Sequence, residues 1–147
     1  MARLLADVDA LAAEIPDGAL IALPPDYAAP PMAATRALVR RGARNLRLVS
    51  VPQGGLQADV LIGAGCAVEI ETAAITMGEL GPAPRFTAAV KAGAIRIKDA
   101  TCPAIHAALQ ASEKGIPFMP LRGIVGSDLL KHRPDWKVID NPMADRK

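Results

Sequence analysis

The sequence predicts an α/β fold, with an open and mainly parallel sheet that has helices on both faces. Short apolar runs bounded by turn residues alternate along the chain with segments of helical period, which is typical of βαβ units. Hydrophobic residues make up 51% of the chain but aromatic residues only 3%, so the core is built from small side chains. With no internal repeat and no linker, residues 1–147 are expected to form a single domain.

The first half of the chain begins with an amphipathic helix that carries Leu4, Val8, Leu11 and Ile15 at helical spacing. A Pro-Asp-Gly turn ends this helix, and later turns separate the elements that follow. These are a buried strand at Ala19–Leu23, a helix at Met32–Arg41 capped by Gly42, a strand at Arg47–Val51 and one or two helical turns at Ala58–Ile62.

In the second half, Val68, Ile70 and Thr72 alternate with two glutamates, which predicts a strand with one wetter face. Prolines and glycines again divide the remaining elements. These are a helix around Phe86–Val90 closed by Gly93, a strand at Ala94–Ile97, and a helix that begins at Pro103, is capped by Thr101 or Cys102 and stops at Gly115. An extended stretch at Ile116–Leu121, a helix at Asp128–His132 and a last strand at Val138–Ile139 follow.

Composition and charge argue against several classes of protein. The net charge is only +2, and because no dense basic run or aromatic surface accompanies it, no nucleic-acid partner is expected. No apolar stretch reaches the roughly 18 residues of a membrane span, and acidic residues near the amino terminus disfavour a secretory signal. Cys66 and Cys102 lie in no metal-binding motif, so we expect reduced thiols in a cytoplasmic protein and no metal site.

Glycine turns are the first candidates for ligand binding, because their backbone N–H groups can approach an anion closely. The turns at Gly63–Gly65 and at Gly126-Ser127-Asp128 are of this kind, but neither matches a P-loop or a dinucleotide fingerprint. A plain turn is the commoner role of such glycines. For Gly126-Ser127-Asp128, capping of the next helix is a further structural explanation.

Two carboxylates are candidates for catalysis. Glu79 lies in a loop between glycines, where an acid can meet a substrate, although a solvated loop acid is the more common outcome. Asp99 follows a predicted strand, and the carboxyl ends of parallel strands face the ligand crevice, but an aspartate there also often caps a helix or pairs with a lysine. Cys102 and His106 are one helical turn apart, and packing is the simpler explanation for them.

Four motifs, in order, resemble those of the family I CoA-transferases, specifically the alpha-type subunits of glutaconate CoA-transferase and its relatives. The resemblance extends from about Asp17 to Pro142. The motifs are Ala58-Asp59-Val60-Leu61-Ile62-Gly63-Ala64-Gly65, then Met77-Gly78-Glu79 with Pro84-Arg85-Phe86, then the run from Gly115 to Gly123, and finally Gly126-Ser127-Asp128-Leu129.

The resemblance implies the CoA-transferase type of α/β sheet, which is related to the ribose-phosphate isomerase fold, in a hetero- or homo-oligomer. It implies a beta-like partner subunit whose glutamate is the nucleophile, with acyl-CoA and a carboxylic acid as substrates. Coenzyme A would be a co-substrate, and no cofactor would be permanently bound. The resemblance further implies that this chain contributes substrate-binding loops, at Gly63, Gly65, Gly78, Glu79, Gly126 and Ser127.

The sequence departs from the family's pattern in three places. Pro24-Pro25-Asp26 follows the first strand where relatives usually have a glycine pair, so an anion-binding turn is not expected there. Asp99 lies in the general region where related ring-opening acyl-CoA hydrolases have a glutamate, so a hydrolase with Asp99 as base is an alternative. Alpha-type subunits are usually close to twice as long, so the domain is expected to lack the family's later portion, and a non-catalytic binding module is a further alternative.

Overall fold

The computed structural model describes residues 3–50 and 53–143, and in this part of the chain four parallel strands form one sheet in the order β1-β2-β3-β4. The strands are β1 (Leu20–Leu23), β2 (Leu46–Ser50), β3 (Ala67–Thr72) and β4 (Arg96–Asp99). The helices are α1 (Val8–Ala13), α2 (Met32–Arg41), α3 (Leu56–Gly63), α4 (Pro84–Lys91), α5 (Cys102–Lys114) and α6 (Leu129–His132). None of these helices has both the length and the apolar character needed to cross a membrane. The predicted fold class is confirmed.

One face of the sheet carries the apolar core. Alternation along the strands places Ile21, Leu48, Ile70 and Ile97 in one row across the sheet. Leu48 and Ile70 are almost completely buried, and they pack with residues of α1 to α4 in a single cluster. Neighbouring helices on this face also contact each other, from α1 to α2, α2 to α3 and α3 to α4. Burial of this face therefore holds the first four helices on the sheet.

The other face is covered near the carboxyl end of the strands. Val49 of β2 packs there against Ala100 and against Ile105 of α5. Trp136, from the irregular segment after α6, joins the same small cluster. Helices therefore lie on both faces, as the sequence predicts, although the second face is covered by less apolar surface than the first.

The last predicted strand, Val138–Ile139, is wrong: both residues lie in irregular backbone and expose more than half of their side chains. The physical reason lies at the outer edge of β4. The Arg133 guanidinium donates a hydrogen bond of 2.9 Å to the Asp99 carbonyl, so a side chain already occupies the outward carbonyl at the end of β4. The predicted strand at Ala94–Ile97 begins two residues later, and Val51, predicted to end the second strand, lies outside the described residues.

Candidate functional site

The four strands end in register at one edge of the sheet. Leu23 is paired with Ser50, Ser50 with Thr72, and Thr72 with Asp99. Loops that follow the carboxyl ends of parallel strands form the crevice where α/β proteins bind ligands. This edge is therefore the first place to look for a site.

A carboxylate from the loop after β1 contacts the start of α3. Asp26 accepts a hydrogen bond of 2.9 Å from the backbone N–H of Leu56, the first residue of α3. This carboxylate lies so close to Gly55 that a Cβ built there would come within 1.9 Å of its Oδ2 atom. A side chain at position 55 would collide with the Asp26 carboxylate, so glycine is required there. Asp26 also occupies the helix terminus that would otherwise attract an external anion.

The neighbouring Gly54 is constrained by close contact with the side chains of Ser50 and Ile75. A Cβ at Gly54 would lie 2.1 Å from the hydroxyl oxygen of Ser50 and 2.5 Å from Ile75. Within the described residues, the buried Ser50 hydroxyl and the buried Gln57 amide oxygen have no hydrogen-bond partner. The glycine pair therefore packs on the strand ends and leaves two buried polar atoms beside the start of α3.

A small cleft of about 220 Å³ opens at this edge. Hydroxyl, amide and carboxylate groups from the loops after β1, β2 and β3 face it together with one methionine. Its lining residues are Asp26, Tyr27, Gln53, Thr76, Met77 and Gly78. Such a mixture can orient a small polar group, but the volume is below the roughly 300–1,000 Å³ of ordinary ligand pockets.

The predicted pair Gly78 and Glu79 lies at this cleft. Gly78 has a φ of +60°, begins a 3₁₀ helix that ends at Leu80, and lines the cleft. The turn is closed by a hydrogen bond of 2.8 Å from the Met77 N–H to the Gly81 carbonyl. Glu79 follows on this turn with its side chain exposed. The structure therefore brings Gly78 to the cleft wall and Glu79 to the adjoining surface.

Gly63 and Gly65 lie at the opposite end of the sheet, between the end of α3 and the start of β3. A Cβ at Gly63 would come within 2.0 Å of the Arg85 side chain, and Gly65 turns the chain with a φ of +70°. Packing and turn geometry account for both glycines in the structure. Their predicted contact with a substrate stays a prediction.

Gly126 and Ser127 are exposed in a turn well after α5. Gly126 has a φ of +87°, and the Ser127 N–H donates to the Ile124 carbonyl at 3.0 Å. The Asp128 side chain makes no capping bond to α6 and instead pairs with Lys131. Neither Gly126 nor Ser127 lines the cleft, so their predicted role stays a prediction as well.

Asp99 ends β4, and a cluster of charges holds its backbone. We call Glu71, Lys98, Arg133, Asp135 and Trp136 the Arg133 cluster. The buried Arg133 guanidinium donates to Glu71 at 2.7 Å and to Asp135 at 2.9 and 3.0 Å, and it lies 4.0 Å from the Trp136 ring centre. Lys98 approaches Glu71 and Asp135 at 3.4 and 3.3 Å. The Asp99 side chain is exposed and does not line the cleft.

Electrostatics within the Arg133 cluster favour the charged forms. Burial alone would lower the pKa of Arg133, but the hydrogen bonds to Asp135 and Glu71 outweigh burial and raise it. The hydrogen bond from Arg133 holds the pKa of the Asp135 carboxyl well below its ordinary value. Since both groups are stabilised as ions, the cluster is a structural clamp for the segment after α6.

Asp59, which the sequence analysis did not single out as a candidate, is the most deeply buried carboxylate among the described residues. Asp59 of α3 is 0% exposed and accepts hydrogen bonds from the backbone N–H groups of Arg85 and Phe86 at 2.8 and 2.9 Å. It also pairs with the Arg85 guanidinium at 3.3 Å. Asp59 therefore caps the first turn of α4 from another helix, and its signal in the sequence is an acid among apolar neighbours.

The cleft also contains residues that the sequence analysis missed: Asp26, Tyr27, Gln53 and Thr76. Each lies in a loop within a few residues of the end of β1, β2 or β3, and this was the one signal available. Across the described residues, no group of three or more His, Cys, Asp or Glu side chains is placed to hold a metal ion.

The chain is similar in sequence or fold to CoA-transferases and to a decarboxylase. No family model matches the chain. It is 33% identical to the A-type subunit of 3-oxoadipate CoA-transferase from Pseudomonas knackmussii, over an alignment that covers 98% of this chain and 52% of the relative.

Solved structures that are similar to this fold include the following two. A variant of the decarboxylase AibA/AibB has a TM-score of 0.82 and 26% identity, over 94% of this chain and 53% of that chain. Glutaconate coenzyme A-transferase from Acidaminococcus fermentans has a TM-score of 0.80 at 23% identity, over 95% and 50% of the two chains, and supports the fold alone. The chain spans about half the length of these relatives. The resemblance indicated by the sequence motifs is thereby confirmed, since the chain is similar to about half of an A-type CoA-transferase subunit.

Proposed function

We propose that this chain is the A-type component of an enzyme that transfers coenzyme A between carboxylic acids. The observation that carries the proposal is the 33% identity to an A-type CoA-transferase subunit over 98% of the chain. In this proposal acyl-CoA and a carboxylic acid are the substrates, and coenzyme A is a co-substrate that leaves with product.

The size of the cleft supports a site that is completed by a partner. At about 220 Å³ it is too small to enclose an acyl-CoA, and one of its walls is the exposed side chain of Tyr27. A beta-like subunit placed against this edge would deepen the cleft and exclude water. The thioester group would then lie against Gly78, Thr76 and Gln53.

The carboxylates of the cleft support a nucleophile from the partner. Asp26 is the carboxylate among the lining residues, and its hydrogen bond to Leu56 directs one oxygen into the start of α3. Glu79 is exposed beside the cleft and is not among its lining residues. We therefore assign the nucleophile to a glutamate of the beta-like subunit and give Glu79 an auxiliary role at the border of the site.

The proposed reaction proceeds by two carboxylate exchanges. A partner carboxylate oxygen attacks the thioester carbon of acyl-CoA, and the CoA thiolate leaves as the mixed anhydride forms. The thiolate then attacks the enzyme's carbonyl carbon in the anhydride, which releases the first acid and leaves an enzyme thioester. A second carboxylic acid reverses these two steps and takes the CoA. This chain would orient the acyl group through backbone N–H and hydroxyl groups at the cleft.

The test is to locate the covalent intermediate in the complex of this chain with its beta-like partner. After incubation with acyl-CoA and reduction by borohydride, peptide mass spectrometry should find a modified glutamate on the partner. Glu79→Gln should lower turnover and leave that adduct in place. A modified peptide that contains Glu79, Asp26 or Asp99 would refute the assignment of the nucleophile.

The same experiment separates the alternatives. If no adduct forms and Asp99→Asn lowers the opening of a ring-ketone acyl-CoA by water by on the order of 10²-fold or more, the chain belongs to a ring-opening hydrolase. If the complex binds acyl-CoA but turns over neither reaction, the chain is a binding module. The cysteines provide a control, since replacing Cys66 and Cys102 by Ser should leave turnover within roughly a few-fold.

A further inference from the structure

We propose that Asp26 determines which acyl groups the cleft accepts: it favours an acyl group with a neutral hydrogen-bond donor, such as a hydroxyl group, at its far end and disfavours one with a second carboxylate. The proposal rests on the proposed function, because it places an acyl group in the cleft. It goes beyond that function by naming the chemical class of the acyl group.

The lining of the cleft carries one formal charge, and that charge is negative. Asp26 supplies it, and the other side chains that line the cleft are hydroxyl, amide and thioether groups. None of the lining residues that the structure describes is a lysine, an arginine or a histidine. The cleft therefore lacks the cationic group that binds a carboxylate most strongly in proteins.

Asp26 itself has no cationic partner among the described residues. It belongs to none of their ion pairs, and its hydrogen bond there is the one of 2.9 Å from the Leu56 N–H to its Oδ2 atom. Asp59 also caps a helix, but the Arg85 guanidinium at 3.3 Å balances its charge. Asp26 thus presents an unbalanced charge and an available acceptor, Oδ1, at the cleft.

The helix terminus beside the cleft cannot replace the missing cation. The start of α3 would attract an anion through its partial positive charge, but Asp26 already accepts a hydrogen bond there. A second carboxylate on the acyl group would therefore meet the Asp26 charge with nothing to offset it. The repulsion between two like charges increases when water is excluded, as it would be in a site completed by the partner.

The loops after β1 and β3 bring Asp26 within reach of a short acyl chain. A Cβ built on Gly55 would lie 1.9 Å from the Asp26 Oδ2 atom and 2.9 Å from the Thr76 carbonyl oxygen, so these two residues flank the same glycine. A thioester placed against Thr76 and Gly78 would direct the far end of its acyl chain toward Asp26. A hydroxyl group at that end can donate to Oδ1, whereas a carboxylate has no proton to donate.

The test compares two acyl-CoA substrates of equal chain length that differ at the far end of the acyl group. Glutaryl-CoA ends in a carboxylate, and 5-hydroxypentanoyl-CoA ends in a hydroxyl group. Transfer of CoA from each to acetate is measured with the complex of this chain and its beta-like partner. We expect kcat/KM to be at least about tenfold higher for the hydroxyl substrate, with most of the difference in KM.

Binding is measured separately with unreactive thioether analogues, in which a CH₂ group replaces the thioester carbonyl. Isothermal titration calorimetry of the same complex should show that the hydroxyl analogue binds at least about tenfold more tightly than the carboxylate analogue. This measurement does not depend on whether CoA is transferred.

Two substitutions remove the charge of Asp26 and keep an oxygen for the Leu56 N–H. Asp26→Asn should raise kcat/KM for glutaryl-CoA at least about tenfold and change that for the hydroxyl substrate by no more than roughly a few-fold. Asp26→Ser is the second variant, since serine is also a good helix cap, and it should shift the selectivity in the same direction. Melting curves followed by circular dichroism check that both variants fold.

Glu113→Gln is the control for the loss of one negative charge. Glu113 is exposed in the last turn of α5, about three turns from the start of that helix, and does not line the cleft. Its substitution should leave the ratio of the two kcat/KM values unchanged.

The proposal is overturned if the unmodified complex does not favour the hydroxyl substrate, if neither Asp26 variant shifts the ratio, or if Glu113→Gln shifts it equally. If the complex transfers CoA from neither substrate, the proposed function fails and the analogues decide the role of Asp26. A binding preference that Asp26→Asn removes would then retain that role, and equal dissociation constants would overturn it. If neither analogue binds, both proposals fail.

Discussion

The two faces of the sheet are held by different kinds of interaction. On the face under α1 to α4, rows of apolar side chains such as Leu48 and Ile70 are buried in one cluster. On the other face, alternation places Glu69 and Glu71 of β3 beside Arg96 and Lys98 of β4, and ion pairs join them across the strands. One face is held by burial of apolar surface, and the other largely by paired charges.

The difference shows what each type of interaction can join. Apolar burial is non-directional, so the first face tolerates helices of several lengths provided that their inner sides are apolar. The Arg133 cluster is directional and joins groups 62 residues apart, from Glu71 to Arg133. The segment after α6 has few buried apolar side chains, so its position depends on those few bonds. Two substitutions, each with a control variant, and one change of pH test this contrast, and the largest effect is expected on the apolar face.

Asp59→Ala should lower the free energy of unfolding of the whole domain by about 3 kcal/mol. The substitution removes a fully buried carboxylate and leaves the N–H groups of Arg85 and Phe86 without their acceptor. Because α3 and α4 belong to the main core, the loss should appear in global unfolding, measured by circular dichroism in urea.

Asp26→Ala is the matched control, since Asp26 also caps a helix from a distant loop but from an exposed position. Water can replace its oxygen at the Leu56 N–H, so the expected cost is about 1 kcal/mol. Equal losses for the two variants would show that burial of the cap does not determine its contribution.

Arg133→Met should release the segment after α6 while the main core stays folded. The variant keeps an apolar side chain but removes the donors to Glu71, Asp135 and the Asp99 carbonyl. Because Asp135 is partly exposed, the loss is smaller than for a fully buried pair, about 2 kcal/mol in the local opening free energy. Trp136 is the only tryptophan, so its fluorescence reports the release directly.

Arg96→Met provides the comparison for a pair outside the cluster. Arg96 pairs with Glu69 at 2.6 Å on the same face, but its side chain is 72% exposed. The expected change is below about 1 kcal/mol, with Trp136 fluorescence unaltered. If Arg133→Met also left both the fluorescence and the amide exchange of residues 128–140 unaltered, the cluster would not be the clamp.

The sequence predicted most of the first face and, on the second face, α5 but not the Arg133 cluster. Periodic apolar residues and glycine caps were sufficient for β1 to β3 and α2 to α5, because local patterns determine those elements. The failed strand at Val138–Ile139 shows the limit, since its apolar pair satisfies a local pattern while Arg133 already occupies the outward carbonyl at the end of β4. Whether an edge is occupied depends on a residue distant in sequence, and a local pattern contains no such information.

The candidate site was predicted less completely for a related reason. Gly78 could be found from its motif, and the structure places it in the cleft. Asp26 and Gln53 could not, because each follows a different strand and only the parallel register brings the two together. Asp59 lies within the first of the four motifs that resemble the family, but its role as the cap of α4 depends on how α3 packs against α4.

The smallest expected effect is the response of the Arg133 cluster to acid. The hydrogen bond from Arg133 depresses the pKa of Asp135 in the folded protein, so its stabilisation is complete above the ordinary carboxyl pKa of 3.8 and is lost as the pH falls toward the lower folded value. Trp136 fluorescence should therefore stay constant from about pH 8 to pH 5 and change only below about pH 4. Since the Asp135 side chain is 45% exposed, solvent screening keeps the contribution below about 1 kcal/mol. Arg133→Met should remove this acid response, and a fluorescence transition between about pH 5 and pH 7 in the unmodified chain would show that a group other than Asp135 controls the docking of Trp136.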